Sequence, residues 1–529
     1  MKSFCAAILL LFFGGSLAFG QCPVIPLPAS YHQETGSLDL SSLQHIIVEN
    51  QDLREVGHFL QQQLLTYKGL TLPEAIGDHQ QAAIFIGKES GIPVEGYHLQ
   101  VTQSGVRITA SDPHGAFNGV ITLLQLARIS TTDAIAFCRI EDKPQMKWRG
   151  IMLDESRHFF GKQAVEQILD WMAFYKLDRF HWHLSDEPGW RLQIRRYPKL
   201  ALVGGVGNYS DTIAPAAYYT QHDIDEIVRY AKERFITVIP EIDMPGHAGA
   251  ANRAYPQFSG GGTQADPDFT FNPGKEGIYS YLTNILREVN VLFPSGLIHI
   301  GGDEVSIGSG HWTSFPGIQK LMASEGLKNA ADVEHYFIKR MADSVIKMGD
   351  KILGWDEIAQ ADLPPKHTII FWWRHEKPAS LRMSLDKGYD VVLCPRIPFY
   401  FDFVQAARDL SGRRWSDGKF SSEEEIYNYA VENYSGVITS DNRHQILGVQ
   451  ANLWTEKVAS KARLQYMLFP RMAALSEATW TARAQRNDYD AFKKRVSLQD
   501  VLYQKQHLKY YDLQHPERTP EIIDEIIRK

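Results

Sequence analysis

A (β/α)8 barrel over residues 145–490, with a small α+β domain over 22–144 before it and a helical extension over 491–529 after it, is predicted by three features of the sequence. Eight short apolar segments recur after residue 144, amphipathic helical stretches separate them, and a barrel of about 250 residues with loop insertions accommodates both. A chain of 529 residues is also too long for a single ordinary core.

In the first unit, Leu53, Val56, Leu60 and Leu64 mark one helical face, and "HIIVEN" and "AAIFIG" read as buried strands. Leu99 and Val101 alternate before Ser104-Gly105, and Val106 and Ile108 after it, which predicts a hairpin. Phe117, Val120, Leu124 and Ala127 form a second helical stripe. No polar cluster converges here, so this unit reads as a packing domain.

The eight predicted barrel strands are 149–154, 179–184, 237–243, 297–302, 352–355, 368–373, 390–394 and 446–452. Helical periodicity lies between them: Val165, Ile168, Leu169 and Met172; then Ile224, Ile227, Val228 and Ala231 behind a Thr220 cap; then Val333, Phe337, Met341 and Val345, stopped by Gly349. Residues 403–445 form the longest interruption, a loop with a short helix of its own. A doubly wound open sheet is the alternative.

Lys plus Arg number 55 and Asp plus Glu 62, a net charge of −7, so no basic field exists to hold nucleic acid. Residues 1–20 carry Lys2, an apolar run from Phe4 to Phe13, and small residues at Ser16, Ala18 and Gly20, which predicts an export signal cleaved near Gly20 and no transmembrane segment. Cys22, Cys138 and Cys394 then remain, enough for one disulfide at most; Gln21 disfavours lipidation of Cys22. Asn208-Tyr209-Ser210 and Asn433-Tyr434-Ser435 fit the glycosylation sequon.

Catalytic groups of a barrel gather at the C-terminal ends of its strands. The predicted ends carry Asp154 with Arg157 and His158, then Asp186 and Glu187, Asp243 and His247, Asp303 and Glu304, Trp355, Trp372-Trp373-Arg374, Tyr400 with Asp402, and Trp454 with Glu456. Carboxylates and indoles at nearly every end suit a sugar, whose ring stacks on aromatic faces and whose hydroxyls pair with carboxylates or Arg. In "LIHIGGDEV", two glycines let the chain leave the strand tightly, and the adjacent acids emerge on diverging vectors. They are therefore unsuited to the facing pair of a two-carboxylate retaining glycosidase, whose members stand about 5 Å apart, and two separate tasks are more natural. "GGDE" alone also occurs in cyclic-dinucleotide cyclases, against which the barrel rhythm and export signal count. His181 and His183 of "HWH" share one strand face, which opens a metallohydrolase reading with His247 and Asp303 as further ligands.

Seven blocks then resemble the family-20 glycoside hydrolases, the β-N-acetylhexosaminidases: "RGIMLDESRHFF" (149–160), "HWHLSDEPGW" (181–190), "EIDMPGH" (241–247), "HIGGDEV" (299–305), "GWDEI" (354–358), "YFD" (400–402) and "NLWTE" (452–456). The resemblance implies an exo-acting retaining hydrolysis of terminal β-linked N-acetylglucosamine or N-acetylgalactosamine from glycans, with the substrate's acetamido oxygen as nucleophile and no cofactor or metal. It implies that Glu304 is the general acid/base and that Asp303 orients the acetamido N–H and stabilises the oxazolinium-like intermediate. Tyr400 would hydrogen-bond the acetamido carbonyl, and Trp355, Trp373 and Trp454 would wall the acetamido pocket. Arg157 and Glu456 would grip the outer hydroxyls, Asp402 the hydroxymethyl edge, and Asp186 with His247 would hold and tune Glu304. Two departures from the family pattern, Glu187 where a second Asp is common and the stretch after Arg374-His375, bear on accessory subsites. The competing readings are a non-catalytic amino-sugar-binding protein and the metallohydrolase.

Overall fold

The computed structural model describes residues 22–78, 80, 82–130 and 132–524, so the predicted export signal over 1–20 lies outside the described residues. The first unit is a seven-stranded mixed sheet of β1 (Ser30–Asp39), β2 (His45–Val48), β3 (Glu74–Ile76), β4 (Ala83–Lys88), β5 (Tyr97–Thr102), β6 (Gly105–Ala110) and β7 (Ala134–Asp142), in the order β1-β7-β5-β6-β4-β2-β3. β5 and β6 are the predicted hairpin, antiparallel with Val101 opposite Val106. The two predicted helices are Arg54–Lys68, which buries Val56, Leu60 and Leu64, and Pro113–Ile129, capped by Asp112 accepting from the Gly115 N–H. The second is buried almost all round because it lies between the sheet and the barrel: Gln125 donates to the carbonyl of Phe174 on the first barrel helix. Ion pairs also cross this interface, Arg149 Nη2 to Glu95 at 2.6 Å and Lys176 Nζ to Asp142 at 3.2 Å.

Eight parallel strands close the barrel: β8 (Trp148–Asp154), β9 (Arg179–His183), β10 (Thr237–Glu241), β11 (Leu297–His299), β12 (Lys351–Trp355), β13 (Thr368–Trp372), β14 (Asp390–Leu393) and β15 (Ile446–Leu453), which pairs back on β8. All eight predicted strands are present, and the open sheet is excluded. β11 stops at His299 rather than at residue 302, because Gly301 and Gly302 take φ of +65° and +88°, incompatible with extended strand. β13 (TIIFW) is a nearly continuous apolar run, as burial on both faces favours, whereas β9 (RFHWH) buries two histidines.

The predicted barrel helices are Lys162–Phe174, Gln221–Lys232 and Ala330–Lys347. Thr220 caps the second in a capping box with Asp223. Residues 403–445 hold the short helix Glu423–Asn428, again with a capping box, from Ser422 and Glu425. Near the C-terminus, helices Tyr489–Ser497 and Asp500–Lys505 dock through Arg495 on Glu477 (2.5 Å) and through Tyr175, whose hydroxyl donates to Gln499 (2.7 Å). Cys22, Cys138 and Cys394 are buried and free, so the single disulfide the count allowed does not form among the described residues. No helix among them is long and apolar enough to cross a membrane.

Candidate active site

The strand ends of β8 to β15 bring all eleven predicted site residues to one mouth of the barrel. An inner cavity of about 90 Å³ is lined by Arg157, Asp186, His247, Asp303, Glu304, Trp373, Tyr400, Trp454 and Glu456, together with Asp243, Arg396 and Arg413. It shares Arg157, His247, Glu304 and Glu456 with an outer cleft of about 430 Å³ that continues over Glu187, Asn208, Tyr209 and Phe269. Asn208, one of the two sequon positions, uses its Oδ1 to accept from the N–H groups of Ser210 (2.9 Å) and Asp211 (2.8 Å).

The turn after β11 explains how neighbouring acids reach different surroundings. Gly301 packs against Asp243 so closely that a Cβ there would sit 1.9 Å from Asp243 Oδ1, and Glu304 itself has φ +55°, in the left-handed region. Asp303 consequently points inward with its side chain 11% exposed, while the Glu304 side chain keeps 42%. Burial first, and then the neighbouring Asp303 charge, raise the Glu304 carboxyl above its ordinary range, while the His247 imidazolium opposes the shift. Buried Asp303 Oδ1 accepts no hydrogen bond from the described residues.

His247 is the meeting point of the acids. Its Nδ1 faces Asp186 Oδ1 at 3.1 Å, and its Nε2 faces Asp303 at 3.5 Å and Glu304 at 3.8 Å. Asp186 in turn meets Arg157 Nη1 at 2.6 Å and His183 Nε2 at 2.7 Å. Burial works against the Asp186 charge, but Arg157 and His247 outweigh it and hold the carboxyl well below the usual range.

The aromatic wall is continuous. Trp373 and Tyr400 are parallel with centroids 6.2 Å apart, and Trp454 stands 6.2 Å from Tyr400 and 5.9 Å from Trp355. Trp355 donates its N–H to the buried Glu241 (2.9 Å) and Trp373 to the partly buried Glu357 (3.0 Å), so each indole is fixed by a carboxylate acceptor. The Arg157 guanidinium lies 5.1 Å over the Trp454 ring. On the far edge, Asp402 and Glu456 converge on Arg413, at 3.0 Å and 2.5 Å. Burial pushes the Asp402 carboxyl up to about 7 despite Arg413, whereas Arg157 and Arg413 overcome burial and lower that of Glu456.

Four contributors went unassigned in the sequence. Glu241 lies fully buried beneath the site, accepting from His183 Nδ1 at 2.7 Å and contacting His181 Nε2 at 3.0 Å. Its one available sign was an acid inside an otherwise apolar strand, two residues before Asp243 and therefore on the same face. Asp243, named only as a strand-end residue, is pushed well above the usual range by burial and then by Asp303. Arg396 opens a four-residue helical turn, Arg396–Phe399, and Arg413 lies in a loop, so neither stretch has the length for periodicity to mark an inward side chain.

His181 and His183 do share a face, but both turn to Glu241 rather than joining His247 and Asp303 in one ligand set. Burial disfavours charge on His183 and His247, yet Glu241 for the first and Glu187 with Asp186 for the second hold each protonated well above its ordinary range. His183 thus pairs with Glu241 and Asp186, and His247 with Glu187 and Asp186, so both rings serve the carboxylate network of the site. His181, Glu241 and His299 are fully buried under Trp355 and Phe371 and reach no substrate.

Residues 146–483 match glycosyl hydrolase family 20, catalytic domain, and residues 21–143 match glycosyl hydrolase family 20, domain 2. A beta-hexosaminidase of Porphyromonas gingivalis is 33% identical over 492 residues, covering 89% of this chain and 62% of that protein, so the chain spans less than two thirds of that relative's length. A beta-hexosaminidase of Vibrio furnissii is 33% identical over 473 residues, covering 86% and 76%. The exo beta-N-acetylglucosaminidase of Vibrio harveyi, solved with N-acetylglucosamine, superposes with a TM-score of 0.84 at 29% identity, covering 92% of this chain and 78% of that one. A Streptomyces plicatus beta-hexosaminidase variant solved with its product gives 0.80 at 29% identity, covering 95% and 97%. With the catalytic domain matched across the barrel and the second domain across the sheet that precedes it, this chain belongs to glycosyl hydrolase family 20.

Proposed function

We propose that the chain is an exo-acting, retaining β-N-acetylhexosaminidase that releases terminal β-linked N-acetylglucosamine or N-acetylgalactosamine from glycans. The observation that carries this reading is the division of labour between Asp303 and Glu304: one buried, with a carboxylate oxygen free to accept, the other half-exposed, with a raised carboxyl. Glu304 gives its proton to the leaving oxygen and later takes one from water; a raised pKa keeps it protonated toward neutrality. Asp303 accepts the acetamido N–H, which turns the carbonyl oxygen toward the anomeric carbon, and its charge stabilises the positive intermediate that the attack creates. Tyr400 and the three indoles confine the acetamido group against Asp303 and exclude water that would compete with the internal attack. Arg157, Glu456 and Asp402 take the remaining hydroxyls. Both relatives named above are beta-hexosaminidases, which supports the substrate class.

The test is kinetic. Glu304→Gln and Asp303→Asn are expected to lower kcat by about two or more orders of magnitude on an aryl N-acetylglucosaminide, because each role is expressed in the transition state. The 2-hydroxy analogue, which lacks the internal nucleophile, is expected to turn over hardly at all. Equal rates on glucoside and N-acetylglucosaminide would instead mean a carboxylate nucleophile.

We also propose that the protein is exported and loses residues up to about Gly20, on the strength of the charged, apolar and small-residue pattern at its start. Recovery of mature protein outside the cytoplasm with an N-terminus near Gln21 is the expected result, and a retained Met1 would sink it.

A further inference from the structure

Glu187 stands between two groups that the proposed reaction uses. One of its carboxylate oxygens lies 2.9 Å from His247 Nδ1 and the other 3.8 Å from Arg157 Nη2. Across the same ring, His247 Nε2 is 3.8 Å from Glu304. One imidazole therefore separates Glu187 from the acid/base. Asp186 shares the Nδ1 proton, but it is fully buried and already committed to Arg157, His183 and the Glu187 N–H (2.8 Å). The Glu187 side chain keeps 21% exposure and lines the outer cleft, so it is the more responsive of the two carboxylates.

We propose that Glu187 is a positioning residue for acid catalysis: its carboxylate compensates the His247 imidazolium, so that Glu304 faces a balanced pair rather than a bare positive charge and keeps its proton. This inference rests on the reading of Glu304 as the acid/base. Besides Glu187, the carboxyls of Asp186, Asp303, Asp243 and Glu304 face His247, the last two with raised pKa values and so with less charge, and Arg157 is the other cation facing the Glu187 side chain; Arg253 reaches Glu187 only at its carbonyl, at 3.4 Å. With Glu187 neutral, the acids that remain, Asp186 foremost, keep His247 protonated, and its charge then acts on Glu304 undiminished. Glu304 loses its proton at lower pH as a result. Burial and the adjacent Asp186 push Glu187 up to about 7, so it gains its charge as the pH rises toward the range in which Glu304 must be kept protonated.

The experiment compares wild type, Glu187→Gln and Glu187→Asp by the pH dependence of kcat on two substrates, chitobiose and an aryl N-acetylglucosaminide with an acidic phenol. A poor leaving group needs the proton more than an acidic phenol does, so loss of acid catalysis falls selectively on chitobiose. The expected result for Glu187→Gln is an alkaline limb moved to lower pH, with chitobiose kcat near pH 8 down about tenfold, KM within about threefold, and the aryl substrate little changed. Glu187→Asp retains the charge at a shorter reach and is expected to restore most of the limb. The limb position is independent of how much enzyme is folded, so poor folding of a variant does not obscure it. An unmoved limb, or equal losses on both substrates, overturns the role of Glu187. Wild-type turnover by a parallel Glu304→Gln control would show instead that the reading of the acid itself is wrong.

Discussion

Glu241 and His183 face each other at 2.7 Å with no exposure to solvent, an ion pair sealed in the barrel beneath the candidate site. The pair supports Asp186 from below, since His183 Nε2 holds the Asp186 carboxylate at 2.7 Å. Removing one partner of such a pair leaves an uncompensated buried charge, which costs about 3–5 kcal/mol. Glu241→Gln is therefore expected to lower Tm by several degrees and, by loosening Asp186, to lower kcat as well. An unchanged melting curve would show that the pair carries no stability.

The same network sets a pH dependence of stability. Asp186 and Glu241 have folded pKa values well below their unfolded ones, so their contribution is fully present above the ordinary 3.8 and 4.5 and is lost as pH falls below those values toward the folded pKa. His183 is raised, so its contribution is fully present below the ordinary 6.5 and is lost as pH rises through its folded pKa. A Tm plateau between about pH 5 and 6 with a fall on the acid side is expected from thermal melts across pH. Glu241→Gln should flatten the acid fall.

Glu423 offers the opposite case. It is buried, both of its carboxylate oxygens lack a hydrogen bond from the described residues, and burial raises its pKa well above the usual range. Its charge opposes folding at neutral pH, so Glu423→Gln is expected to stabilise by about 1–3 kcal/mol at pH 7–8 and by less at pH 5. Chemical denaturation at the two pH values measures this; equal effects at both would contradict it.

Gly301 is predicted to tolerate no side chain. A Cβ would meet Asp243 Oδ1 at 1.9 Å, and φ of +65° already disfavours any other residue. Gly301→Ala is expected to cut activity at least about tenfold by displacing Asp303 and Glu304, since misplacement by about 1 Å costs on the order of 100-fold. Near-normal kcat would show that the turn has slack.

A strong chelator is expected to leave activity unchanged. The histidines nearest the acids, His183 and His247, are each paired with carboxylates, at 2.7 Å and 2.9 Å. Loss of activity on dialysis against chelator, restored by a divalent cation, would revive the metal reading.

The sequence by itself determined the barrel, because strands buried on both faces are mostly apolar and the helices between them must carry a stripe every three or four residues. It also located the strand ends, and with them Asp303, Glu304 and the indoles, since a barrel presents those ends at one mouth. Glu187 was visible as a departure from a motif, but its contact with His247 was not. Strand periodicity gives a side chain's face and not its reach across to another strand, which is why Glu241 beneath the site, the Arg413 bridge between Asp402 and Glu456, and the pairing of HWH with one buried acid emerged only in three dimensions. Protonation states likewise belong to the tertiary structure alone. They follow from burial and from charges distant in sequence, which is how the Glu304 carboxyl comes to be raised above its ordinary range.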